Sequence, residues 1–242
     1  MLLKSVGILI VEQVREPIGI FWSLVAPIAY IVLVAKVPDG LYLSVDLYIT
    51  TAAWSLSYIA LIGACNGFGL YLVGRRESGF VRSFLSNSSR RRKFILAQYL
   101  ASVALTLMFG AALIAITGFA LADIGIAQVA TLFMKYVLIV ATFTFAATLF
   151  AALPLTFQSV SSVISVTLTI IIVAGLATQS AAGAAHPWAT YLNPFATSAY
   201  FIAASTPSHS MLSTLAAQLV LLGLLGVYGL SRFRVNPEWS NR

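Results

Sequence analysis

Six apolar stretches of nineteen residues or more govern what this chain can fold into. They run Pro17–Ala35, Leu47–Leu72, Phe94–Phe119, Ala127–Ala152, Ser159–Ala177 and Met211–Leu230. A helix rises about 1.5 Å per residue and a hydrocarbon core is about 30 Å thick, so each stretch is long enough to cross a bilayer or nearly so. Lipid offers a backbone no hydrogen-bond partner, so each must satisfy its own polar groups as a helix. Composition agrees: 60% of the residues are hydrophobic and 9% charged, where a soluble domain has about a quarter charged. The expected fold is an all-α integral membrane protein with six transmembrane helices, forming one domain over residues 1–242.

Ahead of the first span, Leu2, Leu3, Val6, Leu9, Ile10 and Val14 recur at helical spacing, with Lys4, Glu12, Gln13 and Arg15 between them. This pattern predicts an N-terminal amphipathic helix lying in the membrane interface. The apolar run stops at Glu12 and no small-residue cleavage site follows, so the segment reads as a retained helix and not as a signal peptide.

Charge sets the orientation. Seven of the fourteen Lys and Arg residues crowd into Arg75–Lys93, between the second and third spans. Short loops rich in Lys and Arg stay cytoplasmic. With both termini inside, twelve of the fourteen lie there, and only Lys36 and Lys135 do not. Lys135 is placed to snorkel to the outer interface. The net charge of +7 therefore reflects this rule and an anionic inner leaflet, with no nucleic-acid partner implied. The outer segment Thr178–Ser210 is too apolar for a solvated loop. Its composition predicts short re-entrant helices before the last span, broken or started by Pro187 and Pro194. Leu153–Gln158 is short and uncharged, so spans four and five form a tight hairpin.

Several chemistries find no residues to carry them. There is no Gly-x-x-x-x-Gly-Lys-[Ser/Thr] phosphate loop. His186 and His209 show no metal-ligand spacing. The lone Cys65 sits in an apolar run and reads as a small buried hydrophobe. None of the seven acidic residues lies mid-span, which weighs against a proton- or sodium-coupled carrier. No catalytic residue and no metal or cofactor site is expected on this chain.

A transporter-like body without an energy source of its own needs a partner. In Glu77–Ser86, Phe80, Val81, Phe84 and Leu85 fall at i, i+1, i+4 and i+5, which predicts one apolar face on a short cytoplasmic helix. Glu77 stands at its expected start, where a negative charge suits the helix dipole. Asn87, Ser88 and Ser89 end it, and Arg90–Lys93 open the third span. The same helix can instead lie on the inner leaflet, and spacing alone does not separate the two.

The segment Arg-Arg-Glu-Ser-Gly-Phe-Val-Arg-Ser-Phe-Leu, with Lys-Phe-Ile-Leu-Ala-Gln-Tyr-Leu following, resembles the loop between the second and third spans of ABC-2 type permeases. Arg15-Glu-Pro-Ile-Gly-Ile-Phe-Trp-Ser-Leu-Val-Ala-Pro27 is similar to their entry helix and first span. Tyr191-Leu-Asn-Pro-Phe-Ala-Thr-Ser-Ala-Tyr200 resembles the segment before their last span. Asn87 departs from the pattern where many members carry Pro, and Phe80 where Thr is frequent. The resemblance implies a permease working as a homodimer of two six-span bodies, clamped by two separate ABC ATPase subunits that bind ATP and Mg. It makes Glu77, Gly79, Phe80, Val81, Arg82, Phe84 and Leu85 the coupling helix that docks on the ATPase.

Polar residues within the spans are the remaining candidates: Ser55, Tyr58 and Asn66 in the second, and Ser162, Ser165 and Thr169 in the fifth. Hydroxyl and small side chains in membrane helices serve close packing or line a path. The expected function is the membrane subunit of an ATP-driven exporter in a bacterial cytoplasmic membrane, moving an amphiphilic drug, peptide or lipid-like substrate. The alternatives are a scaffold or sensor that binds a partner at the same loop, and a secondary carrier.

Overall fold

A computed structural model describes residues 2–34, 43–85, 87–180 and 192–236, with the side chains of 34, 179 and 180 left aside. Every element among them is helical. Five helical stretches are long and apolar enough to cross a membrane: Val45–Glu77, Ser88–Leu121, Ile126–Ala152, Phe157–Thr178 and His209–Ser231. A sixth is reached if the bent pair Leu2–Val14 and Pro17–Leu33 makes one span.

The N-terminal helix α1 (Leu2–Val14) meets the stretch Pro17–Leu33, which opens with α2 (Pro17–Ile20), at an angle of 83°. Pro17 causes the break. It disfavours helical backbone at the residue before it, and Glu16 is extended (φ −91°, ψ 90°). Pro17 itself occupies the first turn, where its missing N–H costs nothing. α1 then lies along the third span, with Leu9 packed against Ala97 and Ala101. Leu3 and Val14, expected on the apolar face, stay exposed together with Ile8 and Val11, so only part of the expected apolar set packs inward.

The first span continues as a π-helical segment, π1 (Phe21–Val25), and then α3 (Ala26–Val34). The Ala26 N–H reaches the Phe21 carbonyl, five residues back. Pro27 follows directly, and a proline ring collides with the carbonyl four residues before it. Widening the helix just ahead of Pro27 lets the span run on without a kink. The second span is α4 (Val45–Ile62), π2 (Gly63–Leu70) and α5 (Tyr71–Glu77). It is the most deeply buried span and forms the axis of the bundle. A π-segment frees carbonyls from the regular ladder. The Gly67 carbonyl is met from the third span by Ser102 Oγ at 2.9 Å and Gln98 Nε2 at 3.3 Å.

Beyond α5 come α6 (Phe80–Phe84), α7 (Ser88–Leu121), α8 (Ile126–Ala146), α9 (Thr148–Ala152), α10 (Phe157–Ser180), α11 (Pro194–Ala203) and α12 (His209–Ser231). The 34 residues of α7 span about 51 Å, so α7 overshoots a hydrocarbon core by about 20 Å. Both it and the second span outrun the apolar stretches Phe94–Phe119 and Leu47–Leu72 that marked them. Helix caps and tertiary contacts carry the helices past the point where hydropathy falls: Ser44 accepts from the Leu47 N–H and Asn87 from the Ser89 N–H at 2.8 Å.

In the apolar region before the last span, residues 181–191, with Pro187 and His186, lie outside the described residues, as does most of the first outer loop. The short helix expected there is present as α11. Asn193 caps it, accepting from the N–H groups of Phe195 and Ala196, and Pro194 takes the first position. α11 packs chiefly on α4: Ser57 Oγ donates to the Phe195 carbonyl at 2.9 Å and shares a hydrogen bond with Ser198, while Trp54 meets Phe195 and Tyr200 edge-on.

Lys135, expected to snorkel, is held by the end of α11. Its Nζ donates to the Ala204 carbonyl, with Ile202 at 3.5 Å, and lies 5.5 Å from the Phe201 ring centre. The last carbonyls of α11 carry partial negative charge and lack intrahelical partners, so a cation settles there. At the opposite end, Asn193 Nδ2 donates to the Ile171 carbonyl of α10 at 2.8 Å. α11 is thus held at both ends by polar side chains.

Candidate functional site

The end of the bundle where α5 finishes and α7 begins gathers most of the described basic residues. α5 ends in a sharp turn. Gly79 has φ +74°, a backbone region that a Cβ disfavours by about 1 kcal/mol or more. The Ser78 and Gly79 N–H groups close back on the carbonyls of Gly74 and Arg76. This turn separates α5 from α6, so the coupling element is not one helix from Glu77 to Ser86. Glu77 belongs to the end of α5, and α6 holds five residues. Asn87 begins the next helix instead of ending this one. A left-handed glycine stops a helix regardless of the side-chain spacing around it.

The four apolar residues also divide. Val81 is fully buried and Leu85 nearly so, Phe80 is half-buried, and Phe84 is 66% exposed. Val81 and Leu85 form one i, i+4 pair, which faces the bundle. Phe80 and Phe84 form a second, about 100° around the helix. Their rings lie 5.3 Å apart, Phe80 also meets Phe94 at 5.5 Å, and the Arg75 guanidinium sits 5.3 Å from the Phe80 ring centre. Arg82 is exposed. What α6 presents outward is therefore Phe84 on one flank and Arg82 on the other, since positions two apart do not face each other on a helix.

Arg76 was expected among the loop's exposed cations. It is instead fully buried, the one charged side chain so placed among the described residues. Its Nη1 donates to the carbonyls of Leu153 at 2.8 Å and Ala151 at 3.2 Å, its Nη2 donates to that of Leu155, and its Nε donates to Glu77 Oε1 at 2.9 Å. The end of α9 and the turn into α10 leave carbonyls without helical partners. One planar guanidinium, with donors fixed in a fork, gathers three of them. Arg234 reaches the same turn from beyond α12, its Nε donating to the Ala152 carbonyl at 3.2 Å. A signal for this was present in the sequence. Phe68, Leu72 and Arg76 follow one another at four-residue spacing along a buried stripe, and Arg76 continues it.

Next to this junction Arg75 pairs with Glu12 of α1, and Tyr71 donates to the same carboxylate. Arg75 also donates to the Tyr71 hydroxyl. α1 is thereby tied to α5 as well as to α7.

The candidate path residues do not come together in one cavity. Ser55 and Tyr58 line a cavity of about 210 Å³ between the first span, α4, α10 and α11, walled by Pro27, Trp54 and Phe195. The Ser55 hydroxyl is bonded to the Thr51 carbonyl of its own helix. Asn66 opens into a different groove of about 660 Å³, between α1, π1, π2 and α7, with Trp22 and Phe109 in its walls and Glu12 and Arg75 at its rim. Ser162, Ser165 and Thr169 form a stripe on the exposed face of α10. Each donates to the carbonyl four residues before it, at 3.1, 2.9 and 2.8 Å. Among the described residues no three His, Cys, Asp or Glu side chains gather as a metal site.

No family model matches the chain, and no solved structure matches it. It is 27% identical over 244 residues to Protein McbE of Escherichia coli, an alignment that takes in 99% of each chain.

Proposed function

We propose that this chain is the membrane subunit of an ABC-2 type exporter: a homodimeric permease in a bacterial inner membrane, driven by a separate ABC ATPase that binds ATP and Mg. The observation that supports this most is α6. It follows a glycine-forced turn at the end of the most buried span, anchors through Val81 and Leu85, and leaves Phe84 and Arg82 facing outward. An exposed aromatic on a helix anchored by a buried apolar pair has the make-up of an interface hot spot. The cargo is amphiphilic, in keeping with apolar spans, a largely apolar cavity at Ser55 and Tyr58, and a second groove that combines Trp22 and Phe109 with Asn66, Glu12 and Arg75. The decisive experiment is co-purification of the chain with the soluble ATPase of a neighbouring reading frame, followed by reconstitution and measurement of ATP-dependent export.

Topology gives an independent check. Both termini and Arg75–Lys93 face the cytoplasm, so a membrane-impermeant maleimide applied to intact cells should label Ser180→Cys and leave Ser88→Cys unlabelled. The reverse pattern removes the basis for placing α6 beside a cytoplasmic ATPase.

Assembly gives another. Ser162, Ser165 and Thr169 stand on an α10 face that is exposed among the described residues, and small hydroxyl residues favour close helix approach. The particle mass of the reconstituted complex should correspond to two copies of this chain. A complex containing the ATPase and one copy only would refute the dimer.

A further inference from the structure

We infer that Arg76 is a positioning residue that locks the end of the second span, α6 and the turn between α9 and α10 into one rigid unit, so that a push on α6 reaches the fifth span directly. The second clause rests on α6 being the docking element. The first stands on geometry alone. Arg76 is fully buried, lies three residues before the left-handed Gly79, and has four hydrogen bonds from three of its nitrogens, three of them to backbone carbonyls of another hairpin. α10 begins at Phe157, two residues beyond Leu155, the last carbonyl held. Arg234 grips the same turn from the α12 side, so the junction also includes the tail of the last span.

A helix end needs only its free carbonyls satisfied, and water at an interface does that without a buried cation. Burying a guanidinium carries a desolvation cost that a local cap does not require. What the guanidinium adds is geometry. Its donors diverge in a plane at fixed angles, so Ala151, Leu153 and Leu155 cannot move relative to α5 without breaking bonds inside the protein. Lysine, with one rotating ammonium, cannot hold all three carbonyls along with Glu77.

The test is dipolar EPR on the full chain in lipid nanodiscs, with Cys65 replaced by Ala and spin labels at the exposed positions Ser83→Cys and Gln158→Cys. With Arg76 present the label pair should give one narrow distance distribution. Arg76→Lys should widen it at least twofold, while the variant still elutes as one species. Arg76→Met should widen it further. If Arg76→Met does not fold, Arg76→Lys decides. A distribution already broad with Arg76, or unchanged in Arg76→Lys, overturns the inference; a cap that merely stabilises the turn would lower thermal stability and leave the width alone.

A second arm concerns transmission. In the complex with the ATPase, Mg-ATP and vanadate should shift labels at Ser83 and at Val163 on α10 together. In Arg76→Lys the Val163 label should stay in place. Both labels shifting in Arg76→Lys would overturn transmission through this residue. If no ATPase binds the native chain, the coupling reading fails, and the first arm still decides the junction.

Discussion

Phe84→Asp should release the ATPase from the permease while the membrane body stays folded. Phe84 is 66% exposed and touches its own chain chiefly through the Phe80 ring. Losing that contact costs the isolated chain about 1 kcal/mol. In a docked complex the aspartate meets a desolvated pocket with no partner charge, at a cost of several kcal/mol. An equilibrium constant changes tenfold for each 1.4 kcal/mol, so the ATPase should bind about a hundredfold more weakly or not at all. Arg82→Ala should be milder, because an exposed rim charge is worth about 1 kcal/mol or less. Val81→Asp is the contrasting substitution. It buries a carboxylate inside the chain itself and should damage the fold with or without the ATPase. Pull-down of the ATPase, paired with size-exclusion of the permease alone, separates the three. Phe84→Asp binding as well as the native chain would leave α6 as a membrane-surface element.

Gly229→Val should collapse the packing of the last span. A Cβ at Gly229 would lie 2.5 Å from Leu149 N and Thr148 C and 2.7 Å from Thr148 O. These are backbone atoms of α9 and cannot rotate away. The α12 and α9 backbones meet here, and Thr148 Oγ1 donates across the contact to the Gly226 carbonyl at 2.8 Å. Forcing a branched side chain into this seam should cost about 3 kcal/mol. For a chain of this length that corresponds to a melting point lower by about 6–12 °C. Gly223, on the same helix, has open space around its would-be Cβ. Gly223→Ala should therefore leave the melting point within about 2 °C. Equal losses in both would mean that helix propensity, and not backbone approach, sets the effect.

How far the sequence carried depended on which force decided each feature. Helix type followed from hydropathy and length, because lipid leaves the backbone few alternatives; of the six expected spans, five are helical stretches long and apolar enough to cross, and a sixth is reached only if the bent N-terminal pair is one span. The helix starting at Pro194 was legible because Asn-Pro encodes a cap and a first turn locally. That α1 is a helix was legible from its period, while which of its apolar residues pack inward was not. The division of Phe80 and Phe84 from Val81 and Leu85 was not. Positions i, i+1, i+4 and i+5 share a broad half of a helix, and only the neighbours choose which pair turns inward. Gly79 lay in view, but glycine specifies permission for a left-handed turn and not its use. Arg76 and Lys135 were read as solvated cations because an isolated sequence shows their charge and not the carbonyls awaiting them. Those carbonyls belong to helix ends 67 to 79 residues away.

The hydroxyl stripe of α10 looks polar on paper, yet its chemistry is silent. Ser162, Ser165 and Thr169 each spend their single proton on their own helix. No donor is left pointing outward from these three side chains, and each oxygen keeps only acceptor capacity. A neighbour that presents no donors of its own, such as the same stripe on a second copy, can slide past this surface, part from it and meet it again without any hydrogen bond having to break and reform. On the proposed pairing of two copies, the fifth span would make a seam of this kind, close enough to seal and with no specific bond to slow its opening.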